Sequence, residues 1–86
     1  MVVEHFRGHE VAIYRRFRER GRQAPDGVRY VSSWVQEDFA RCFQLMETDD
    51  RALLDEWISH WKDLADFEVQ PVMSSAEAAA RIGPRL

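Results

Sequence analysis

The residues in this 86-residue chain able to do chemistry are few and scattered. Glu4 stands in an apolar run, Val2-Val3-Glu4-His5-Phe6. A carboxylate held there against Val2 and Phe6 has its charged form disfavoured by desolvation, which is how an acid is tuned to move protons near neutral pH. A structural alternative is pairing with an arginine, or a place at the rim of a sheet. His5, the neighbouring candidate for a proton-transfer role, lies four residues before His9. That pair straddles an expected strand-to-helix junction, so the spacing does not bring the imidazoles together. No cysteine or acid cluster completes a metal site with them or with His60, and no metal is expected. Cys42 is the one thiol. No base stands at a fixed spacing from it, and it reads most simply as a small buried hydrophobe. Glycine-rich phosphate loops, GxSxG elbows and HExxH pairs are all missing.

Composition sets the frame for these groups. At 45% hydrophobic and 31% charged residues the chain is globular, and its length suits one domain over residues 1–86. Net charge is −3, which argues against general affinity for nucleic acid. The charge is uneven. Residues 1–27 carry six arginines against four acids, with Arg15, Arg16, Arg18, Arg20 and Arg22 in one cluster. Such a run suggests an anionic partner, and at a helix C-terminus it is first read as a charged solvated face. No apolar run approaches the roughly 20 residues of a membrane span. No charged leader with an apolar core opens the chain, and one unpaired thiol suits a reducing cytoplasm.

MVVEHF is short and β-branched and predicts a strand over residues 1–6. Gly8 breaks it. His9 to Arg20 predicts a helix, with Ile13 and Phe17 on one face and Gly21 as its stop. Pro25-Asp26-Gly27 is a turn. Strands are expected over Val28–Gln36 and Arg41–Thr48, close enough in sequence to form an antiparallel hairpin. Asp49-Asp50 opens a second helix, whose stripe of Leu53, Leu54, Trp57, Ile58, Trp61 and Leu64 belongs to a core. Asp66–Met73 is a fourth strand, and Pro71 confines it to a sheet edge or to its own end. Ser74 and Glu77 fit a capping box for a short third helix, stopped at Gly83-Pro84.

The order β-α-β-β-α-β plus a short helix is the ferredoxin-like α+β plan: a four-stranded antiparallel sheet in spatial order 4-1-3-2, with both main helices on one face. The pairs Val31/Val35, Phe43/Leu45 and Phe67/Val69 are expected to face the helices. The other face would then carry Tyr30, Ser32, Trp34, Cys42, Gln44, Met46, Glu68, Gln70 and Val72. Glu4 joins them if Val3 points to the helices. From that face Glu4, Tyr30, Trp34, Cys42, Gln44, Glu68 and Gln70 are the expected ligand-binding residues. It is too apolar to stay fully wet, so a second copy of the chain is the expected cover, with an apolar small molecule as the other occupant. An RNA-binding role is disfavoured, because strand three lacks the basic-Gly-aromatic pattern such sheets use.

The segments VVEHF, YRRFRERGR, PDGVRYVSSWV, RCFQLMETDDRALLDEWISHW and DLADFEVQPVMSSAEA together closely resemble a bacterial domain-of-unknown-function family numbered 3303. The resemblance covers nearly the whole chain. It implies membership of the dimeric α/β-barrel group, in which two ferredoxin-like protomers pack sheet to sheet. That group spans cofactor-free monooxygenases, haem-degrading enzymes and pure ligand binders, so the resemblance transfers no catalytic residue and implies no particular cofactor. Three readings stay open: a homodimeric small-molecule-binding module, a cofactor-free monooxygenase- or isomerase-like enzyme using Glu4 or His5, and a structural or protein-interaction module without a pocket.

Overall fold

A computed structural model describes all residues, 1–86. The elements run β1 (Val2–His5), α1 (Glu10–Arg20), β2 (Arg29–Val35), β3 (Arg41–Glu47), α2 (Arg51–Ser59), β4 (Asp66–Val69) and α3 (Ser75–Ile82), with a closing 3₁₀ turn at Gly83–Arg85. The four strands form one antiparallel sheet in the order β2-β3-β1-β4. The layout is the ferredoxin-like α+β one, with β1 and β3 in the middle.

Local chemistry explains most boundaries. Asp50 caps α2, its Oδ1 accepting from the Ala52 N–H at 2.9 Å. Ser74 Oγ accepts from Glu77 N–H at 3.0 Å and caps α3. The Pro25–Val28 turn closes with a 3.1 Å bond, and its Gly27 has φ +93°. A Cβ there would meet Leu53 Cδ1 at 2.7 Å, the tip of a side chain that can shift, so it is the positive φ that calls for glycine. β4 lies at an edge and ends at Val69, before Pro71, with Gln70 still paired to the backbone of Met1. Gly83 continues in helical geometry (φ −47°) into the 3₁₀ turn rather than stopping α3 in the left-handed region. Trp61 and Leu64 lie beyond the end of α2, in turns that carry the apolar stripe onward.

The core sits between the helices and the sheet. Phe6, Ile13, Leu54, Trp57, Trp61 and Ala65 are buried there with Val2 and Cys42. Trp57 meets Phe67 of β4 edge-on at 6.0 Å. Arg16 of α1 grips Asp63 with two bonds of 2.8 and 2.7 Å, donates to the His60 carbonyl, and lies over the Trp61 ring. None of the residues of α3 is buried.

The register corrects the expected division of faces. Val2 pairs with Gln44 and Val69, and Glu4 with Cys42 and Phe67. Directly paired residues share a face, so Val2, Glu4, Phe6, Cys42, Gln44 and Met46 lie on the helix side with Phe67 and Val69. Phe43 and Leu45 are on the outer face, with Val3 and Trp34. The reason is that this sheet is apolar on both faces, so alternation alone does not choose between them. Tyr30 also changes sides. A bulge at Val31 inserts one residue between Tyr30 and Ser32, so Tyr30 pairs with Met46 and turns inward, while Ser32 and Trp34 stay outside.

Candidate functional site

The sheet's inner face carries two buried polar side chains among the apolar ones, Glu4 and Gln44. Adjacent central strands place them together, and their contacts leave little freedom. Gln44 Nε2 donates to Glu4 Oε2 at 2.8 Å. Gln44 Oε1 accepts from Arg22 Nη1 at 2.6 Å. Arg22 can only donate, so it fixes which end of the amide faces it, and the NH₂ group must then face Glu4. The chain Arg22 to Gln44 to Glu4 therefore has one direction of donation.

Arg22 belongs to the loop after α1 and is held from both ends. Its carbonyl accepts from two indoles, Trp57 Nε1 at 2.9 Å and Trp61 Nε1 at 3.0 Å. The four-residue spacing of these tryptophans brings both N–H groups to one acceptor, which satisfies two buried donors at once. Its guanidinium lies 3.7 Å over the Tyr30 ring and 5.2 Å from the Phe17 ring. Such stacking suits a delocalised cation partly withdrawn from water.

These groups line a cavity of about 180 Å³ between the helices and the sheet. Its apolar wall is Phe6, Ile13, Trp57, Trp61 and Cys42; Tyr14, Phe17, Ser33 and Val35 complete the lining. Phe17, Tyr14 and Val35 are exposed, which puts the mouth between α1 and the edge strand β2. The volume lies below the roughly 300 Å³ where drug-sized pockets begin, and so suits a small ligand.

Burial pushes the Glu4 carboxyl up to about 7, against the opposing pull of the Gln44 hydrogen bond and the Arg22 charge. Gln44 donates to Oε2, which leaves Oε1, without a hydrogen-bond partner in the protein, as the oxygen free to carry the proton when Glu4 is neutral. Burial and the nearby Glu4 push the Cys42 thiol up to about 11, and the Tyr14 hydroxyl is raised by the same two causes together with Cys42. Neither is an activated nucleophile. The one group in the cavity poised to exchange a proton at neutral pH is Glu4.

The residues singled out from sequence fall into two places. Glu4, Cys42 and Gln44 line the cavity, and Tyr30 supports it from behind Arg22. Trp34 and Glu68 are on the outer side of the sheet, and Gln70 is exposed beyond β4. His5 points away from Glu4 and pairs with Glu68, Nε2 to Oε1, at 3.0 Å. His9 Nδ1 donates to the Leu64 carbonyl at 2.8 Å. No three His, Cys, Asp or Glu side chains converge as metal ligands would. Tyr14 and Ser33 were not expected as site residues, and Arg22 was expected only as a member of the arginine run. For Arg22 the available signal was its position: it follows the helix-ending Gly21, and so leaves the solvated face of the arginine run.

A family model described as Domain of unknown function (DUF3303) matches residues 1–86. The chain belongs to that family. Comparison with the curated proteins and with the solved structures returned no match. No helix is long and apolar enough to cross a membrane.

Proposed function

We propose that this DUF3303 protein binds a small, mainly apolar molecule in the cavity under α1 and exchanges a proton with it through Glu4. The observation that carries this reading is a buried carboxyl near neutrality whose one oxygen is fixed by Gln44 while the other lacks a protein partner. A ligand group there would face a single proton donor or acceptor amid apolar walls. That is the arrangement a cofactor-free isomerase or oxygenase needs, and also one that would make a binding module pH-sensitive. The test is chemical-shift mapping of the labelled protein with small aromatic fragments. Shifts confined to Glu4, Tyr14, Cys42 and Gln44 are expected. Shifts confined to Trp34, Phe43 and Leu45 would contradict it.

The outer sheet face favours a second element of this reading. Trp34 is 56% exposed there, beside the half-buried Phe43 and Leu45. We propose that a second copy covers this face and that the protein works as a cytoplasmic homodimer. Light scattering should give twice the 10.1 kDa chain mass, and Trp34→Glu should halve it. A monomeric wild-type protein at high micromolar concentration would contradict it.

A further inference from the structure

The proposed ligand can be narrowed by the charges the cavity holds. Two ionisable groups of opposite sign line it, Glu4 and Arg22, and Gln44 keeps them apart. The guanidinium has five N–H donors, of which only Nη1 has a protein acceptor, the neutral Gln44. No carboxylate pairs with Arg22 directly; six other ion pairs in the molecule exist, and it is in none of them. Its faces are occupied by the Tyr30 and Phe17 rings, which leaves its edge to approach. When Glu4 carries its proton, the cavity's only charge is therefore a half-buried cation without a counter-ion, and an unpaired buried charge is costly.

We infer that the natural ligand is a small apolar monoanion, a monocarboxylate in the simplest case, which pairs with the edge of Arg22 while Glu4 takes up a proton. This rests on the cavity being the binding site. An arginine edge and a carboxylate match in geometry, and the apolar walls take the rest of the molecule. A doubly charged ligand would leave one charge unpaired against Phe6, Ile13 and Trp57 and is excluded by the same cost. Proton uptake follows from repulsion: an ionised Glu4 beside a bound anion would place two negative charges against one positive.

The other groups around Glu4 do not replace it. From α1 the titratable neighbour is Tyr14, from β3 it is Cys42, and from the loop it is Arg22. α2 and the segment after it offer only indoles, β2 offers Ser33 and Val35, and β4 places Phe67 opposite Glu4. Tyr14 and Cys42 are both raised, so both stay neutral across the pH range in which Glu4 titrates.

Calorimetric titration of the full chain with benzoate, and with benzamide as its uncharged isostere, tests this. At about pH 6 benzoate should bind at least about tenfold more tightly than benzamide. Above neutrality its affinity should fall by about tenfold per pH unit, as expected for one linked proton. Proton uptake near pH 7.5 should show as a dependence of the heat on buffer ionisation enthalpy. Glu4→Gln should keep benzoate binding and flatten its pH dependence. Arg22→Met should abolish the preference for benzoate, and Arg22→Lys, which retains the charge if the methionine variant fails to fold, should preserve it. Equal affinity for benzoate and benzamide would overturn the anion inference and leave the cavity as the binding site. Binding of neither would overturn both.

Discussion

Glu4 is the residue on which the site turns, and its burial has a consequence for stability that needs no ligand. Its folded value of about 7 lies above its ordinary 4.5. Between those two pH values the folded chain holds more protons than the unfolded one. The stabilisation is thus complete below about 4.5 and is lost as pH rises through about 7. At about 1.4 kcal/mol per unit, roughly 3 kcal/mol of stability disappears across that window. Denaturant titrations at pH 5 and pH 8 should show the loss, and Glu4→Gln should remove most of it. Cys42 gives a second prediction at this scale. Its burial and its value of about 11 keep it a thiol at pH 8. Alkylation of the native protein should be slower than that of the denatured protein by at least about two orders of magnitude, read by mass spectrometry.

At the scale of elements, Trp57 of α2 and Trp61 in the turn after it position the site by donating to the Arg22 carbonyl. Trp61→Phe removes one of the two bonds to that carbonyl, worth about 1 kcal/mol, and leaves part of the buried indole volume empty, so it should cost more than that. Because Arg22 orients Gln44, the same variant should also move the Glu4 titration midpoint, a change that lost packing alone would not produce. The elements themselves were legible in the sequence. The apolar stripe of α2, the caps Asp50 and Ser74, the Gly27 turn and the edge strand before Pro71 each carry a local physical signal. What was not legible was the face on which β3 lies. Phe43 and Leu45 are the more apolar set, yet Cys42 and Gln44 are the buried ones. Gln44 tolerates burial only because Glu4 and Arg22, from distant parts of the chain, satisfy both ends of its amide. Tyr30 was displaced by a one-residue bulge that the letters VRYVSSWV do not announce. Glu4 stood out from sequence for the right physical reason, desolvation, while its partners were set by register.

At the scale of the whole molecule, the chain measures 48 × 30 × 17 Å, with α1 and α2 sharing one core with Val2, Phe6 and Cys42 on the inner side of the sheet. A chain of this size buries little of its surface, and the proposed second copy would add to it. If the outer faces pair, the thermal midpoint should rise with protein concentration, and in Trp34→Glu it should not. The cavity lies on the opposite side of the sheet from that contact, so the variant should leave the pH dependence of Glu4 intact. The most direct measurement is a carbon-13 titration of the Glu4 side-chain carboxyl in the intact protein. A midpoint near 7 that falls toward 4.5 on unfolding is the predicted result. A folded midpoint in the ordinary range between 4 and 5 would contradict it.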